Sequence, residues 1–569
     1  MHTLYFDLRD TKGQQKTIED NISAAARLLR EGALVAIPTE TVYGLGANGL
    51  DESAVRRIFE AKGRPQDNPL ILHLTGPQWL PRYCRDIPPM AYVLARKFWP
   101  GPLTIILKRS ELVPDATTAG LDTVAVRCPN HPVTLAILRE AGVPVAAPSA
   151  NLSGRPSCTS AADVMEDMDG RIEGVVDGGP CVVGVESTIL DMTCEPPRLL
   201  RPGGLPVEEL ERLIGPIAVD RAVSAAMPEG ERPRAPGMKY RHYAPKAPVT
   251  VVTGAPAKSA QEIKRRVGPT SGVICFDEYI RMFPEQVVHA IGPVDDKLTQ
   301  AQRVFEALRS FDATKVTEIY TQCPDGRGLG LAVGNRLRKA AGFHEVEADS
   351  EKIVLGLTGG TGAGKSSALA VLRELGAVVL DCDKVYHEML AENVEMQKAV
   401  SKAFPGVFRP DGSLNRQKLG QEVFMKKEQL EKLNAIVYHF LVPEIQRRLD
   451  EAGDSVCAID AINLLESGLD IVCDRTIAIT SPTELRVRRI MARDGITEGY
   501  ARMRITAQKP DEYYRGKCSC ELNNDADTAE DFQRAARRFF KRLIRAVREE
   551  NQGLRRERAV LLEAMGLPE

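Results

Sequence analysis

Residues 353–357, Ile-Val-Leu-Gly-Leu, run without a break into Gly359-Gly360-Thr361-Gly362-Ala363-Gly364-Lys365-Ser366-Ser367. An apolar run of strand length, a loop that fits G-x-x-x-x-G-K-[ST] and a helical pattern over 366–375 constrain the fold more than anything else in the chain. They predict the opening strand, phosphate loop and helix of a parallel α/β sheet. Each fixed position has a physical task. Glycines let successive N–H groups turn toward phosphate oxygens, and the helix N-terminus adds positive potential. Lys365 reaches the outer phosphates, and the Ser366 hydroxyl is placed to ligate Mg²⁺. Further apolar runs at 377–380, 456–459 and 476–479, separated by helix-length segments, extend the sheet and cover both its faces.

The first of these, 377–380, leads into Asp381-Cys-Asp383. Carboxylates at the carboxyl edge of such a sheet lie where α/β folds bind ligands. Phosphoryl transfer to an alcohol needs a proton acceptor there. Alternation along an extended strand puts Asp381 and Asp383 on one side, one toward metal-bound water and the other toward the alcohol. A helix cap is the plainer role for a strand-end Asp. Asp460, ending the run 456–459, is a further candidate for the metal's surroundings. No N-K-x-D-like motif is present, so adenine is the expected base.

The chain is 569 residues long, which at about 150 residues per domain predicts three or four domains. A net charge of −2 excludes a uniformly basic body. Weak or no direct nucleic-acid binding is therefore expected. The start has no basic leader, and no apolar run approaches the ~18 residues of a membrane span, so a cytoplasmic location is expected. The twelve cysteines are scattered, with no His beside Cys518-x-Cys520, and read as reduced thiols. The arginine-rich stretch 531–565 reads as one or two helices with a solvated charged face.

The Pro/Gly-rich stretch 227–245 is the clearest divider. Before it, helices at 22–29 and 54–61 alternate with strands at 33–37 and 70–74. After it, strands at 249–252 and 272–276 and helices at 297–310 and 335–341 form a smaller α/β unit ending near Glu345. The first part carries a small-residue loop, Pro38-Thr-Glu-Thr-Val-Tyr-Gly-Leu-Gly46, a basic pair in Lys62-Gly-Arg64, and Ser149-Ala-Asn151 after a strand at 143–147. Together they suggest a pocket of cations and hydroxyls for an anionic ligand.

Two resemblances sharpen this. Gly356 to Ser366, Asp381-Cys-Asp383, Leu464-Leu-Glu466, Arg489-x-x-x-Arg493 and Ala501-x-x-Arg504-Ile-x-x-Gln508 resemble dephospho-CoA kinase over about 200 residues. The resemblance implies transfer of the ATP γ-phosphate to the ribose 3′-hydroxyl of dephospho-CoA. Asp383 is then the general base and Lys365 a catalytic cation. Gly359 to Ser367 hold ATP, Ser366 and Asp381 hold Mg²⁺, and Arg489 and Arg493 lie in or near a lid. Asn463 and Phe440 stand where the family usually has proline, and Cys518-Ser519 where it has Ala-Asp, all near the acceptor and adenine. A kinase for another small alcohol, or a domain that senses nucleotide without turnover, remains the alternative.

The first 345 residues resemble threonylcarbamoyl-adenylate synthase, the YrdC-like family in its long form. The matching stretches are 38–46, Lys62-Gly-Arg-Pro65 with Asn68-Pro-Leu70, 148–154, Glu186-Ser-Thr188, Arg201-Pro-Gly203, 236–245, and Gly328-Leu-Gly-Leu-Ala332 with Asn335-Arg-Leu337. The resemblance implies that L-threonine, bicarbonate and ATP are joined into threonylcarbamoyl-AMP for N6-threonylcarbamoyladenosine in tRNA, with a tRNA-modification transferase protein as partner. Lys62 and Arg64 act at the phosphates. Thr41, His73, Arg127 and Ser187 hold threonine. Asn68, Thr123, Ala147, Ser149, Asn151, Ser157, Arg201 and Tyr243 join Lys62 and Arg64 around ATP. Tyr240 and Tyr243 are expected to fold over the pocket as a lid.

The expected fold class is α/β throughout. It comprises a mixed twisted-sheet YrdC-like domain over 1–215, a linker or lid over 216–247 and a small Rossmann-like domain over 248–345. A P-loop kinase domain with a parallel sheet spans 352–548, and a helical tail 549–569.

Overall fold

The computed structural model describes residues 2–9, 15–223, 225, 227, 231–239, 242–348, 351–409, 413–424, 427–453 and 455–564. The chain forms two compact units, the first built on Met1–Ala348 and the second on Asp349–Gly553.

The first unit contains two sheets. The larger has twelve strands with mixed directions, and its middle carries the strands Val35–Ile37, Gly44–Asn48, Val145–Ala146, Ile71–His73, Thr123–Arg127, Leu103–Arg109 and Thr188–Asp191 in that spatial order. Every residue of Val35–Ile37 and Ile71–His73 is buried, as continuous apolar runs covered on both faces require. Helix Gln15–Arg30 presents Ile18, Ile22, Ala25, Ala26 and Leu29, spaced at helical intervals, to one face of the sheet. Helix Glu52–Lys62 covers the other face with Val55, Ile58 and Phe59. The strand Ala218–Val219 pairs with Arg198–Arg201, so the large sheet continues past residue 215.

The smaller sheet is fully parallel, in the order Val287–Ala290, Ser271–Cys275, Glu318–Gln322, Val249–Thr253, Glu345–Glu347. Helix Leu329–Ala340 begins six residues before the expected start at 335. Gly330 and Gly334 weaken the helical pattern in its first turns. A Cβ at Gly330 would strike the Asp325 carbonyl, so close packing requires glycine there. Between the two sheets, the described residues from 225 to 247 have neither helix nor strand. It is anchored by Ala235 and Met238 in one apolar cluster and Tyr243 in another.

The second unit is built on five parallel strands in the order Val378–Asp381, Val456–Asp460, Ile353–Thr358, Arg475–Thr480, Cys520–Asn523. The strand that opens the phosphate loop is central, and its carboxyl edge lies beside those of its neighbours. The arginine-rich stretch forms one helix, Ala529–Ala564, and Met565 lies outside the described residues. Among the described residues, no helix is long and apolar enough to cross a membrane.

Candidate active sites

In the first unit, two loops are folded onto each other by backbone pairing. Thr39 Oγ1 accepts from the N–H groups of Thr41 and Val42 at 3.2 Å each and donates to the Val42 carbonyl at 2.6 Å. This local turn closes the path between strands 35–37 and 44–48. The Ala150 N–H donates to the Tyr43 carbonyl and the Leu45 N–H to the Pro148 carbonyl, each at 2.8 Å. The Ser149-Ala-Asn151 loop is thereby docked against the 38–46 loop. Lys62 ends helix Glu52–Lys62, where Gly63 turns away with φ of 61°. The buried Lys62 ammonium donates to the Ser149 carbonyl at 2.5 Å and to the Asn151 carbonyl. Arg64 donates to the carbonyls of Asn68 at 3.3 Å and Pro69 at 3.1 Å. Backbone carbonyls thus hold both cations in place.

A cavity of about 600 Å³, its mouth included, opens at this junction. Arg64, His73, Arg127, Ala147, Ser149, Asn151, Ser187, Arg201 and Tyr243 all line it. Three arginines face one lining carboxylate, Glu186, which suits the cavity to an anion. Thr41 lies 2.8 Å behind the lining Thr39 hydroxyl, and Ser157 donates to Glu186 at 2.7 Å. Lys62 and Asn68 support the wall from behind. Thr123 starts the strand that Arg127 ends, which puts it about 13 Å away along the strand. It is not among the residues lining the cavity.

Arg127 is 4% exposed, and its Nη2 lies 2.7 Å from Glu40 Oε2, also 4% exposed. Glu40, inside the 38–46 motif, was not singled out from sequence. His73 sits beside Arg127 on the adjacent parallel strand. Burial, reinforced by Arg127, pushes its imidazole down to about 3, so it is neutral at physiological pH. Ser187 Oγ is 2.7 Å from Thr104 Oγ1 and accepts from Arg201 Nη2 at 3.2 Å.

The smaller sheet's helix completes this wall. Arg336, with no exposed surface, donates to Glu186 Oε2 at 2.7 Å and to the Pro202 carbonyl at 2.9 Å. Burial raises the Glu186 carboxyl, but Arg336 and Arg201 outweigh it and hold the group at about 2. The Arg336 guanidinium also lies over the Tyr243 ring, 5.6 Å from its centre, and that ring packs against Phe305 at 5.0 Å. Lys339 donates to the Gly237 carbonyl and so straps the linker down. Tyr243 is therefore buried over the cavity, while Tyr240 lies outside the described residues. Motif spacing flagged the stretches holding Glu186 and Arg336, but nothing local announced that they pair across 150 positions.

Burial, with Arg64 second, lowers the Lys62 ammonium to about 7. Its folded value lies below its unfolded one, so the unfolded chain holds more protons between about pH 7 and 10.5. The burial penalty therefore shrinks as pH rises through that window. Polyphosphate in the cavity restores the charged form, so ATP binding at pH 8–9 is expected to take up a proton. Calorimetry in buffers of different ionisation enthalpy measures this uptake, and Lys62→Met should remove it.

In the second unit, the loop after strand Ile353–Thr358 is cradled tightly. Gly359 and Gly364 adopt φ of 147° and 108°, and a Cβ at either would strike Ile479 O or Asn524 Nδ2. The Thr361 N–H donates to Gln508 Oε1 at 2.8 Å, and Gln508 Nε2 donates back to Thr361 Oγ1 at 2.8 Å. Arg486 Nε donates to the Thr361 carbonyl at 3.0 Å while Nη1 holds Asp511 at 3.1 Å. Arg489 donates to Asn524 Oδ1 at 3.1 Å and Ser481 Oγ at 3.0 Å beside the loop. Arg493 instead pairs at the surface with Asp494, at 2.7 Å. Arg486 escaped the sequence reading because one Arg among several on a charged helix carries no spacing signal.

Lys365 Nζ lies 3.6 Å from Asp460 Oδ1, and Asp460 is paired in register with both Leu357 and Asp381. Burial raises the Asp460 carboxyl, Lys365 lowers it, and Asp381 and Asp383 raise it further. The expected alternation of Asp381 and Asp383 along a strand does not occur. The strand ends at Asp381, whose side chain accepts from the Lys384 N–H at 3.0 Å as an N-cap, and Asp383 sits exposed in the first helical turn. The cap ends the extended backbone at Asp381, two residues before Asp383, so Cys382 alone turns inward. Ser366 is exposed at the head of helix Lys365–Glu374.

A cationic cavity roofed by a linker and a glycine loop backed by three carboxylates define a nucleotide-using enzyme with two separate centres. Three family models match the chain: residues 27–203 match Telomere recombination (Sua5/YciO/YrdC), 205–342 match Threonylcarbamoyl-AMP synthase, C-terminal domain, and 353–530 match Dephospho-CoA kinase. Threonylcarbamoyl-AMP synthase of Pyrococcus abyssi is 49% identical over 340 residues, covering 59% of this chain and 98% of that protein. Dephospho-CoA kinase of Corynebacterium jeikeium is 38% identical over 163 residues, covering 27% of this chain and 82% of that protein. The crystal structure of P. abyssi Sua5 complexed with L-threonine is 47% identical with a TM-score of 0.57, covering 61% of this chain and 99% of that one. The chain belongs to both families, as a threonylcarbamoyl-AMP synthase fused to a dephospho-CoA kinase, two ATP-using transferases.

Proposed function

We propose that the first unit makes threonylcarbamoyl-AMP, following the division 1–215, 216–247 and 248–345, and that residues 352–548 phosphorylate dephospho-CoA. The observation that carries this is one chain with two dissimilar sites in different compact units, a cavity lined by three arginines and a glycine loop that presents Lys365. In the first, the threonine amine condenses with bicarbonate to a carbamate with loss of water, and a carbamate oxygen attacks the ATP α-phosphorus as pyrophosphate leaves. The substrate supplies the nucleophile, so the side chains orient and neutralise. Arg127 takes the threonine carboxylate, with Thr41, neutral His73 and Ser187 around it. Lys62, Arg64 and Arg201 hold the phosphates, supported by Asn68, Ser149, Asn151, Ser157 and Tyr243. Thr123 is assigned on the family resemblance alone.

In the second unit the 3′-hydroxyl oxygen attacks the γ-phosphorus, Asp383 accepts its proton and ADP leaves. Lys365 and the loop N–H groups hold the phosphates in line, with Arg489 and Arg493 toward the lid. Among the described residues no group of three or more His, Cys, Asp or Glu can by itself hold a metal. The crowding of Asp381, Asp383 and Asp460 nevertheless favours a cation. Ser366 and Asp381 would hold Mg²⁺ together with ATP phosphates, and the ion would supply charge neutralisation. A cytoplasmic location and a tRNA-modification transferase as consumer of the adenylate follow from this reading.

Arg127→Ala should raise the threonine KM by about 10–100-fold, as expected for losing a charge-assisted contact, and the ATP KM much less. Glu40→Gln should shift the same constant in the same direction. A larger effect on ATP would reverse the assignment. Product assays with the full chain, for pyrophosphate with threonine and for CoA with dephospho-CoA, test the two activities directly.

A further inference from the structure

Helix Ala529–Ala564 extends well past residue 530, where the dephospho-CoA kinase match ends. Its apolar side belongs to the fold, with Phe532, Ala536, Phe540 and Val547 buried in the core of the second unit. From Arg534 to Arg548 it carries seven basic residues and no Asp or Glu. At 100° per residue, Arg534, Arg538, Lys541, Arg542, Arg545 and Arg548 fall within an arc of about 120° opposite the buried side. All six are exposed. Arg534 pairs with Asp531, while Arg538, Lys541, Arg542, Arg545 and Arg548 have no acidic partner among the described residues. Elsewhere in this unit, exposed Arg447 pairs with Glu444 and Glu451 and exposed Arg502 with Glu484 and Glu498. The five bare cations repel one another along about 15 Å of helix, and the fold leaves that repulsion uncompensated.

We propose that this stripe docks the phosphate backbone of a nucleic-acid helix. Arginine predominates, and its planar fork matches phosphate oxygens bidentately. From Arg534 to Arg548, some 21 Å of helix lies alongside about six phosphates of one strand. No large apolar side chain of this helix is exposed among the described residues. A bilayer-surface helix needs such an apolar face, and a protein interface needs a dry aromatic or aliphatic centre. Without exposed aromatics the stripe has nothing to stack on bases, so binding is backbone-directed and independent of sequence. The chain's near-zero net charge does not bear on this, because the cations are concentrated on one helix face.

Fluorescence anisotropy of the full-length protein with labelled RNA and DNA duplexes of about 20 base pairs tests the proposal. The expected result is low-salt binding whose log Kobs falls against log salt with a slope of about −3 to −4. Arg545→Gln should flatten that slope by about one unit. Reversing the stripe with R538E, K541E, R545E and R548E together should weaken binding at least about tenfold, while kinase and synthase rates stay at the parent level. Tighter binding of RNA than DNA would assign the stripe to A-form RNA, and equal binding to the phosphate backbone alone. Failure of both duplexes to bind at low salt would overturn the proposal. So would binding that the reversal leaves unchanged, or a stripe needed only for anionic vesicles or a polyglutamate peptide.

Discussion

Lys365→Ala is expected to lower dephospho-CoA phosphorylation by at least about 10²–10³-fold, the usual cost of removing a preorganised group from developing charge. Threonine-dependent pyrophosphate release should continue at the parent rate. Lys365 is the side chain that the glycine loop and the helix behind it present beside Asp460, 3.6 Å away. Its removal frees Asp460 to repel the incoming triphosphate as well as losing a phosphate contact. Both consequences are confined to the second unit. Parallel assays of CoA and pyrophosphate on one preparation check this, and loss of both activities would show that the centres are not independent.

Arg336→Met is the second large effect, and it acts in the opposite half. The substitution leaves Glu186, 5% exposed, without the stronger of the two cations, Arg336 and Arg201, that hold its carboxyl down at about 2. Breaking a buried ion pair by removing one partner costs about 3–5 kcal/mol. It should lower the denaturation midpoint and abolish threonylcarbamoyl-AMP formation, leaving kinase activity intact. Pairing Arg336→Met with Glu186→Gln should recover part of the stability, because no carboxylate is then left buried without Arg336 while Arg201 still loses its carboxylate, without recovering activity. The pH dependence follows from the same pair. Glu186 has a folded value below its unfolded one, so its contribution is full above about pH 4.5 and is lost as pH falls toward 2. Acid titration of the double variant should lack that component.

The glycine loop was legible because it is local. Strand, loop and helix are contiguous, every glycine answers a backbone constraint, and four of the five strands are short apolar runs; the fifth, Cys520–Asn523, carries no such signal, and the spatial order of the strands is not encoded locally. The 38–46, 62–64 and 148–154 motifs of the first unit could be found as residue types, but not as a pocket. Lys62 meets Ser149 and Asn151 only through long-range folding. Glu40 beside Arg127 and Arg336 beside Glu186 are pairings that periodicity does not encode. Asp383 shows the reverse failure. Alternation carried from Asp381 to Asp383 runs two residues past the strand, because Asp381 caps the following helix and ends the extended backbone there. Helix Leu329–Ala340 was cut short for a similar reason, since its glycines mark close packing and not a turn.

The two reactions break different bonds of ATP, and this gives the most direct test of two independent centres. The synthase cleaves between the α and β phosphorus atoms and the kinase between β and γ. With α,β-methylene ATP as the only nucleotide, the protein is expected to form CoA from dephospho-CoA but no threonylcarbamoyl-AMP. With β,γ-methylene ATP it should form threonylcarbamoyl-AMP and release methylenediphosphonate, but make no CoA. An analogue that supports both reactions, or a protein for which each analogue supports neither, would contradict the account.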